Sequence, residues 1–221
     1  ISVTMLSHFP EAILVPGEKF YSNIPDTAIS VVFTDEIPVN AVVLTDLSAD
    51  KDLSIVGWLD GSVWKVSGRK KARIMANPDC QKMFYQKKNL VSVNFEYLDT
   101  KYTNNMKYMF RECESLEEIK LGSNFTTSNV TNMNGMFDRC FKLKSVDVSG
   151  FDTSNAYNMN SMFYMAGYNS KVVDIDLSSL DISKVVNTAS MFQQFAYSSE
   201  SVNLNLSGLD TSSVTNMDYM F

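Results

Sequence analysis

One histidine, His8, stands in a chain of 221 residues. A site built on two imidazoles is therefore excluded, and no Ser-His-Asp arrangement can be drawn. The three cysteines, Cys80, Cys113 and Cys140, lie too far apart in sequence for a disulfide framework or a four-ligand zinc site. No apolar run approaches the roughly 20 residues that span a bilayer, so no membrane insertion is expected in this segment. A glycine-rich phosphate loop, a nucleophile elbow and a metal-ligand cluster are also missing. The sequence predicts no enzyme, no cofactor and no catalytic residue.

Positive charge is scarce as well. The net charge is −6, which argues against non-specific binding to nucleic acid or anionic lipid. The one basic cluster, Gly68 to Arg73 ("GRKKAR"), reads as a solvated edge or loop. The chain opens at Ile1 with no signal peptide, so the sequence reads as a mature or excised segment.

What is abundant is repetition. Met-Phe occurs at Met83-Phe84, Met109-Phe110, Met136-Phe137, Met162-Phe163, Met191-Phe192 and Met220-Phe221, at spacings of 26, 27, 26, 29 and 29 residues. That is the range of stacked structural repeats. An asparagine column stands four residues before the Met at Asn105, Asn132, Asn158, Asn187 and Asn216. Each Met-Phe is followed by a strand-like stretch, such as "LKSVDV" or "VVDIDL", and then by an apolar residue with Asp and Ser/Thr. Valines 146 and 148 alternate with Ser145 and Asp147, the period of a half-buried strand. Val130, Met133, Met136 and Phe137 fall on one face of a short helix, with Ser128, and Ser154 one repeat later, as N-caps. Asn, Thr, Val and Gly135 give that helix poor propensity, so it depends on packing against its neighbours and could shrink to a 3₁₀ turn. Phe supplies buried area and Met fills the gap beside it. The Asn column reads as an internal ladder of amides, with an outward-facing column as the alternative, and Cys113 and Cys140 share a column as two buried thiols or, at the spacing of stacked strands, as a disulfide.

Residues 1–76 do not follow the repeat. "AISVVFTD" reads as a strand, and "LSIVGWLDGSVWKVSG" as a hairpin turning at Asp60-Gly61. Asn77 and Pro78 read as the start of the first repeat helix. The expected organisation is a mainly β N-terminal capping region, 1–76, and a repeat region of about five units, 77–221. An open end at Phe221 predicts further repeats or a cap beyond it, and self-association through that end.

The string M-F-x-x-C-x-x-L-x-x-V-D-V-S-x-F-D-T-S-N at Met136 to Asn155 resembles the repeat of BspA-like bacterial surface proteins, a divergent leucine-rich-repeat type. "SSVTNMDYMF" and the lead-in "IVGWLDGSVWKVS" are similar to the same family, and the likeness covers about Ser54 to Phe221. The fourth and fifth repeats depart from it, with Met165 and Phe195 in place of the Cys. The resemblance implies an α/β, right-handed, leucine-rich-repeat-like solenoid, with parallel strands on one face and short helices on the other. It also implies display at a cell surface or secretion, and adhesion to a host or neighbouring-cell protein or glycan.

In such an architecture the outward strand residues form columns. One is Asn94, Lys120, Asp147, Asp176 and Asn205; its neighbour is Ser92, Glu118, Ser145, Asp174 and Asn203. Asp147, Asp174, Asp176, Asn203, Asn205, Lys120 and Glu118 are the candidate binding residues. A solvated face, a partner surface for a protein or glycan, and a calcium site are the readings that this pattern leaves open, with a glycosidase carboxylate pair remote. A structural spacer that displays another domain is the alternative to a binding role.

Overall fold

A computed structural model describes residues 9–39 and 43–221; His8 lies outside them. The chain begins with β1 (Glu11–Ile13), the helix α1 (Gly17–Asn23), β2 (Ser30–Thr34) and β3 (Thr45–Asp46). The hairpin β4 (Ile55–Asp60) and β5 (Val63–Gly68) follows, then a tight turn, Arg69–Lys71, and β6 (Arg73–Met75). The repeats carry β7 (Ser92–Asn94), β8 (Leu98–Asp99), β9 (Glu118–Lys120), β10 (Val172–Asp176) and β11 (Ser201–Asn205).

These strands make three sheets. A six-stranded mixed sheet has the order β3-β4-β5-β2-β7-β9, a parallel sheet has β1-β6-β8, and β10 pairs with β11 alone. The hairpin forms where the sequence places it, with its register one residue later. Asp60 pairs with Val63, so Gly61 and Ser62 are the turn, and Gly61 supplies the positive φ of 59°. β2 lies between β5 and β7, so the described part of the N-terminal region shares a sheet with the first repeat. One apolar core runs from Ala12 to Ala196.

The expectation of an α/β leucine-rich-repeat-like solenoid is overturned. Among the described residues the one α-helix is α1, in the region expected to be mainly β, and the strands fall into three separate sheets of which the largest is mixed. No helix starts at Asn77, Ser128 or Ser154. The reason lies in the backbone around Met-Phe. The residue before each Met has positive φ: Lys82, Tyr108, Gly135, Ser161, Ser190 and Tyr219, at 53–59°. Four residues further on, Gln86, Glu112, Arg139, Met165 and Gln194 do the same, at 53–62°. A helix cannot pass through a left-handed residue. Each Met-Phe therefore sits in two successive turns, closed for example by Met136 N–H to the Met133 carbonyl at 3.2 Å and Cys140 N–H to the Phe137 carbonyl at 3.2 Å.

Alternate amides in this segment point at the next repeat instead of along the chain. The amides of Cys80, Lys82, Phe84 and Gln86 donate to the carbonyls of Asn105, Lys107, Met109 and Arg111 at 2.8–3.0 Å. The same pattern recurs from Met106 to Asn132 and from Met133 to Asn158. The obligatory backbone hydrogen bonds of a helix are replaced by bonds between repeats.

Side chains repeat the alignment. Phe84, Phe110, Phe137, Phe163, Phe192 and Phe221 stack with centroids 5.0–5.9 Å apart and interplanar angles of 3–19°. A second file runs through Phe33, Phe95, Phe125 and Phe151, and Phe20 joins the two by touching Phe33 and Phe84. The Met-Phe pairs are buried up to Phe192, while Phe221 is exposed.

The Asn column stands in register, bridged Asn105 to Asn132, Asn132 to Asn158, Asn158 to Asn187 and Asn187 to Asn216. The amide ladder expected of it does not form. The Oδ1 atoms of Asn132, Asn158, Asn187 and Asn216 each accept the N–H two residues on, at 3.0 Å. Local turn formation outcompetes stacking, because the short side chain reaches its own backbone first. The Asp-Thr-Ser-Asn motif divides its labour. Asp152 accepts the Ser154 N–H, buried Thr153 donates to the Asp181 carbonyl of the next repeat at 2.9 Å, and Asn155 donates back to the Ser128 carbonyl at 2.8 Å. Cys113 and Cys140 are free thiols that donate to the carbonyls of Phe84 and Phe110. Burial pushes the Cys80 thiol up to about 12, and those of Cys113 and Cys140 are raised for the same reason, so all three are unreactive as nucleophiles.

Two expectations follow. Phe137→Ala should lower stability by roughly 3–5 kcal/mol, since it opens a gap between Phe110 and Phe163; an unchanged urea midpoint would show that the stack is not core. Ser161 has φ of 54°. Ser161→Val should cost about 2 kcal/mol or more, because a branched side chain resists that conformation, while Ser161→Gly should stay within about 1 kcal/mol of the parent. Equal midpoints for the two variants would remove the left-handed turns as the cause of the non-helical path.

Candidate functional site

The seven residues nominated on the strand face fall into two groups. Glu118 and Lys120 lie on β9, opposite Ser92 and Asn94. Asp174 and Asp176 lie on β10, opposite Asn203 and Asn205 of β11. A single bridge, Ser145 to Asp174, carries the register into the third repeat and sets Asp147 in line with Asp176. That repeat forms no strand, and no pairing joins β9 to it among the described residues. The structure thus brings Asp147, Asp174, Asp176, Asn203 and Asn205 into one patch. It leaves Glu118 and Lys120 on another sheet, which corrects the single continuous column read from the sequence.

Most of these side chains also serve the fold. Asp147 accepts the Ser149 N–H at 3.0 Å, Asp176 the Ser178 N–H at 2.9 Å, and Asn205 the Ser207 N–H at 3.0 Å. The hydroxyl and amide of Ser149 hold the Asp147 carboxyl below the usual range, and those of Ser178 do the same for Asp176. Asn203 Nδ2 donates to Asp174 at 2.8 Å. Lys120 pairs with Glu96 at 2.7 Å, and Lys144 with Glu117 at 2.6 Å. Such exposed pairs contribute little energy but fix where the charges stand.

Along β10, outward Asp174 and Asp176 alternate with buried Val173 and Ile175. The result is an ionised, acceptor-rich surface. The Asp147 and Asp176 carboxyls, held low by their serine partners, lack the raised pKa that suits a general acid at neutral pH. It can meet a donor-rich or cationic partner. Among the described residues no three His, Cys, Asp or Glu converge to hold a metal ion, so the three aspartates do not form the calcium site that the sequence left open.

Two features escaped the sequence. The first is a charge cluster on the turn side. Arg111 Nε lies 3.0 Å and Arg139 Nη1 3.3 Å from buried Asp138, with Glu112 3.5 Å from Arg111. The rings of Tyr108 and Tyr164 lie under the Arg111 and Arg139 guanidinium groups at 4.7 and 5.1 Å. Gly135 makes room, because a Cβ there would stand 2.5 Å from the Tyr108 ring. Burial pushes the Asp138 carboxyl up to about 6, against the pull of Arg139 and Arg111, and Glu112 adds to the rise. Only spacing in three dimensions reveals this cluster, since its members come from three successive repeats. The second feature is the surrounding of the basic run at Gly68 to Arg73, which borders the larger cleft.

Asp138 makes a pH-dependent contribution to stability. Its folded pKa is raised, so the folded state holds the proton more tightly than the unfolded state does between about pH 4 and 6. Ionised Asp138 costs stability above that window, and the cost fades as pH falls through it. Asp138→Asn should therefore gain stability relative to the parent as pH rises from about 4 to 6, by on the order of 1 kcal/mol, and hold that gain above. A difference that stays flat across this range in urea melts would show that the carboxyl titrates normally.

With the geometry in hand, comparisons with known proteins place the repeats. Residues 78–197 and 167–221 match the family described as "Mycoplasma protein of unknown function, DUF285". No curated protein and no solved structure gives a match. The matched segments together cover 78–221, more than half of the chain and nearly all of its repeat region. The chain therefore belongs to the DUF285 family of Mycoplasma proteins of unknown function.

Proposed function

We propose that the protein is a cell-surface or secreted binding module that holds a host or neighbouring-cell protein or glycan on its outward strand face. The observation that carries this reading is the patch of Asp147, Asp174 and Asp176 with Asn203 and Asn205, exposed or half-buried side chains held in fixed register by β10 and β11. A polar surface with prearranged acceptors can orient a partner and raise its association rate. The likeness of Met136 to Asn155 to BspA-like surface proteins supports the location and the adhesive role. A structural spacer is the second reading. It is favoured by the number of polar groups spent between repeats, as at Thr127, Thr153 and Asn155, which stiffens the stack.

The two readings part on one paired measurement. Asp147→Asn, Asp174→Asn and Asp176→Asn together keep an acceptor oxygen at each turn, so the melting temperature should stay nearly unchanged. Adherence to cells or matrix proteins should weaken, most at low salt where charges are least screened. Intact folding with unchanged adherence would leave the spacer. Loss of folding would make the carboxylates structural.

A further inference from the structure

We propose that the protein carries a second binding site, separate from the strand face, which takes an acidic polypeptide segment with apolar side chains. The site is a cleft of about 1010 Å³. It opens where the chain passes from the six-stranded sheet to the β1-β6-β8 sheet, beyond the ends of β2 and β5. Thr34, Ser67 and Gly68 form its floor. This volume stands at the upper limit of small-molecule pockets, and it suits about five or six peptide residues in an open trough.

Charge decides the ligand. One wall is the turn Arg69–Lys71, whose three side chains are exposed and in no ion pair among the described residues. Two of the three carboxylates that line the cleft are paired with a cation, which leaves Asp35 against the three cations of the turn. Asp99 pairs with Arg73, Glu96 with Lys120, and Asp35 stands by Tyr97 and raises its phenol. The charge left for a ligand is positive, on a protein whose net charge is −6.

The opposite wall is apolar. Ile37 is 85% exposed and Leu44 38%, and Tyr97 is also partly open, while the partly exposed Phe9 ring lies under the Lys71 ammonium at 6.0 Å. A bare inorganic anion would leave these groups in water. A nucleic acid strand would bring phosphates to the cations but no aliphatic side chain to Ile37 and Leu44. An acidic peptide with Phe or Leu between its carboxylates satisfies both walls.

The turn is also held in a costly shape. Lys70 and Lys71 have φ of 51° and 60°, the only adjacent pair of non-glycine residues with positive φ among those described. The turn is pinned by Arg69 N–H to the Ser54 carbonyl at 2.8 Å and Arg73 N–H to the Pro10 carbonyl at 2.8 Å. Gly68 is required beneath it, since a Cβ there would lie 2.0 Å from the Ala72 carbonyl oxygen. Two lysines in left-handed backbone are replaceable by asparagine or glycine at lower cost.

The test uses the whole chain and fluorescence anisotropy with three labelled hexapeptides: Asp-Phe-Glu-Leu-Asp-Phe, its Lys-for-acid counterpart, and its Ser-for-acid counterpart. The acidic peptide should bind at least about tenfold more tightly than either of the others, with affinity falling as salt is raised. Lys70→Asn with Lys71→Asn removes two charges and retains a residue that tolerates positive φ, so folding is preserved. It should weaken the acidic peptide by about tenfold. Ile37→Ser should weaken the acidic and Ser-containing peptides alike, and Asp174→Asn should weaken neither. Equal binding of the three peptides, or acidic-peptide binding untouched by the double variant, overturns the proposal. So does binding of vesicles rich in phosphatidylserine that the double variant abolishes while no peptide binds, which would make the cleft a lipid-headgroup site. Loss of adherence in the strand-face variant with peptide binding intact keeps the two sites distinct.

Discussion

The structure depends on where the amides around Met-Phe point. A residue with left-handed φ before each Met, and another four positions later, turns alternate N–H groups out of the chain and onto the carbonyls of the next repeat. Each non-glycine residue in that state costs roughly 1–2 kcal/mol. The cost is offset by bonds that each repeat makes to its neighbour, and by the burial of the Phe and Met side chains that the same turns aim inward. Neither half is stable without the other. A lone repeat would keep its strained residues and lose the acceptors that justify them.

The same constraint orders the side chains. Once the backbones are in register, equivalent residues must meet equivalent residues, and the side chains compatible with that are those that tolerate their own kind. Phenyl rings stack, as from Phe84 to Phe192; threonine hydroxyls bridge to the next backbone; thiols donate to carbonyls. Carboxylates face their own kind poorly. They stand on the outside, as at Asp147 and Asp176, or are bracketed by arginines, as at Asp138. The acidic patch is thus partly a by-product of a motif that uses Asp and Asn to close turns.

Period, core and strand face were legible because they depend on side-chain type and spacing. Met136, Phe137, Val146 and Val148 are buried as their pattern indicates, and the β10 register follows from aligning the repeats. The path between Met133 and Cys140 was not legible. Its apolar spacing fits a helix, and the sign of φ at Gly135 or Arg139 is a backbone choice that tertiary bonding dictates. The poor helix propensity of Asn132, Thr131 and Gly135 was the signal available, and the helix template outweighed it. The fold class was misread for that reason. The amide column failed on a nearer competitor, since Asn132 reaches the Asn134 N–H before it can reach Asn158. Of the candidate site, the aspartate columns could be read from alignment. The break between β9 and β10 could not, because nothing in "LKSVDV" distinguishes it from the segments that do pair.

The bonds between repeats lie along the direction in which the repeats follow one another. A tensile load applied between the two ends would therefore act across these bonds in series, and the weakest unit would yield first. Release of one unit frees 26–29 residues, the spacing of Met-Phe, which is about 90–100 Å of extended chain. The next unit is left with an intact ladder behind it. Under load such a chain would lengthen in steps set by the repeat period, whatever is bound to its face.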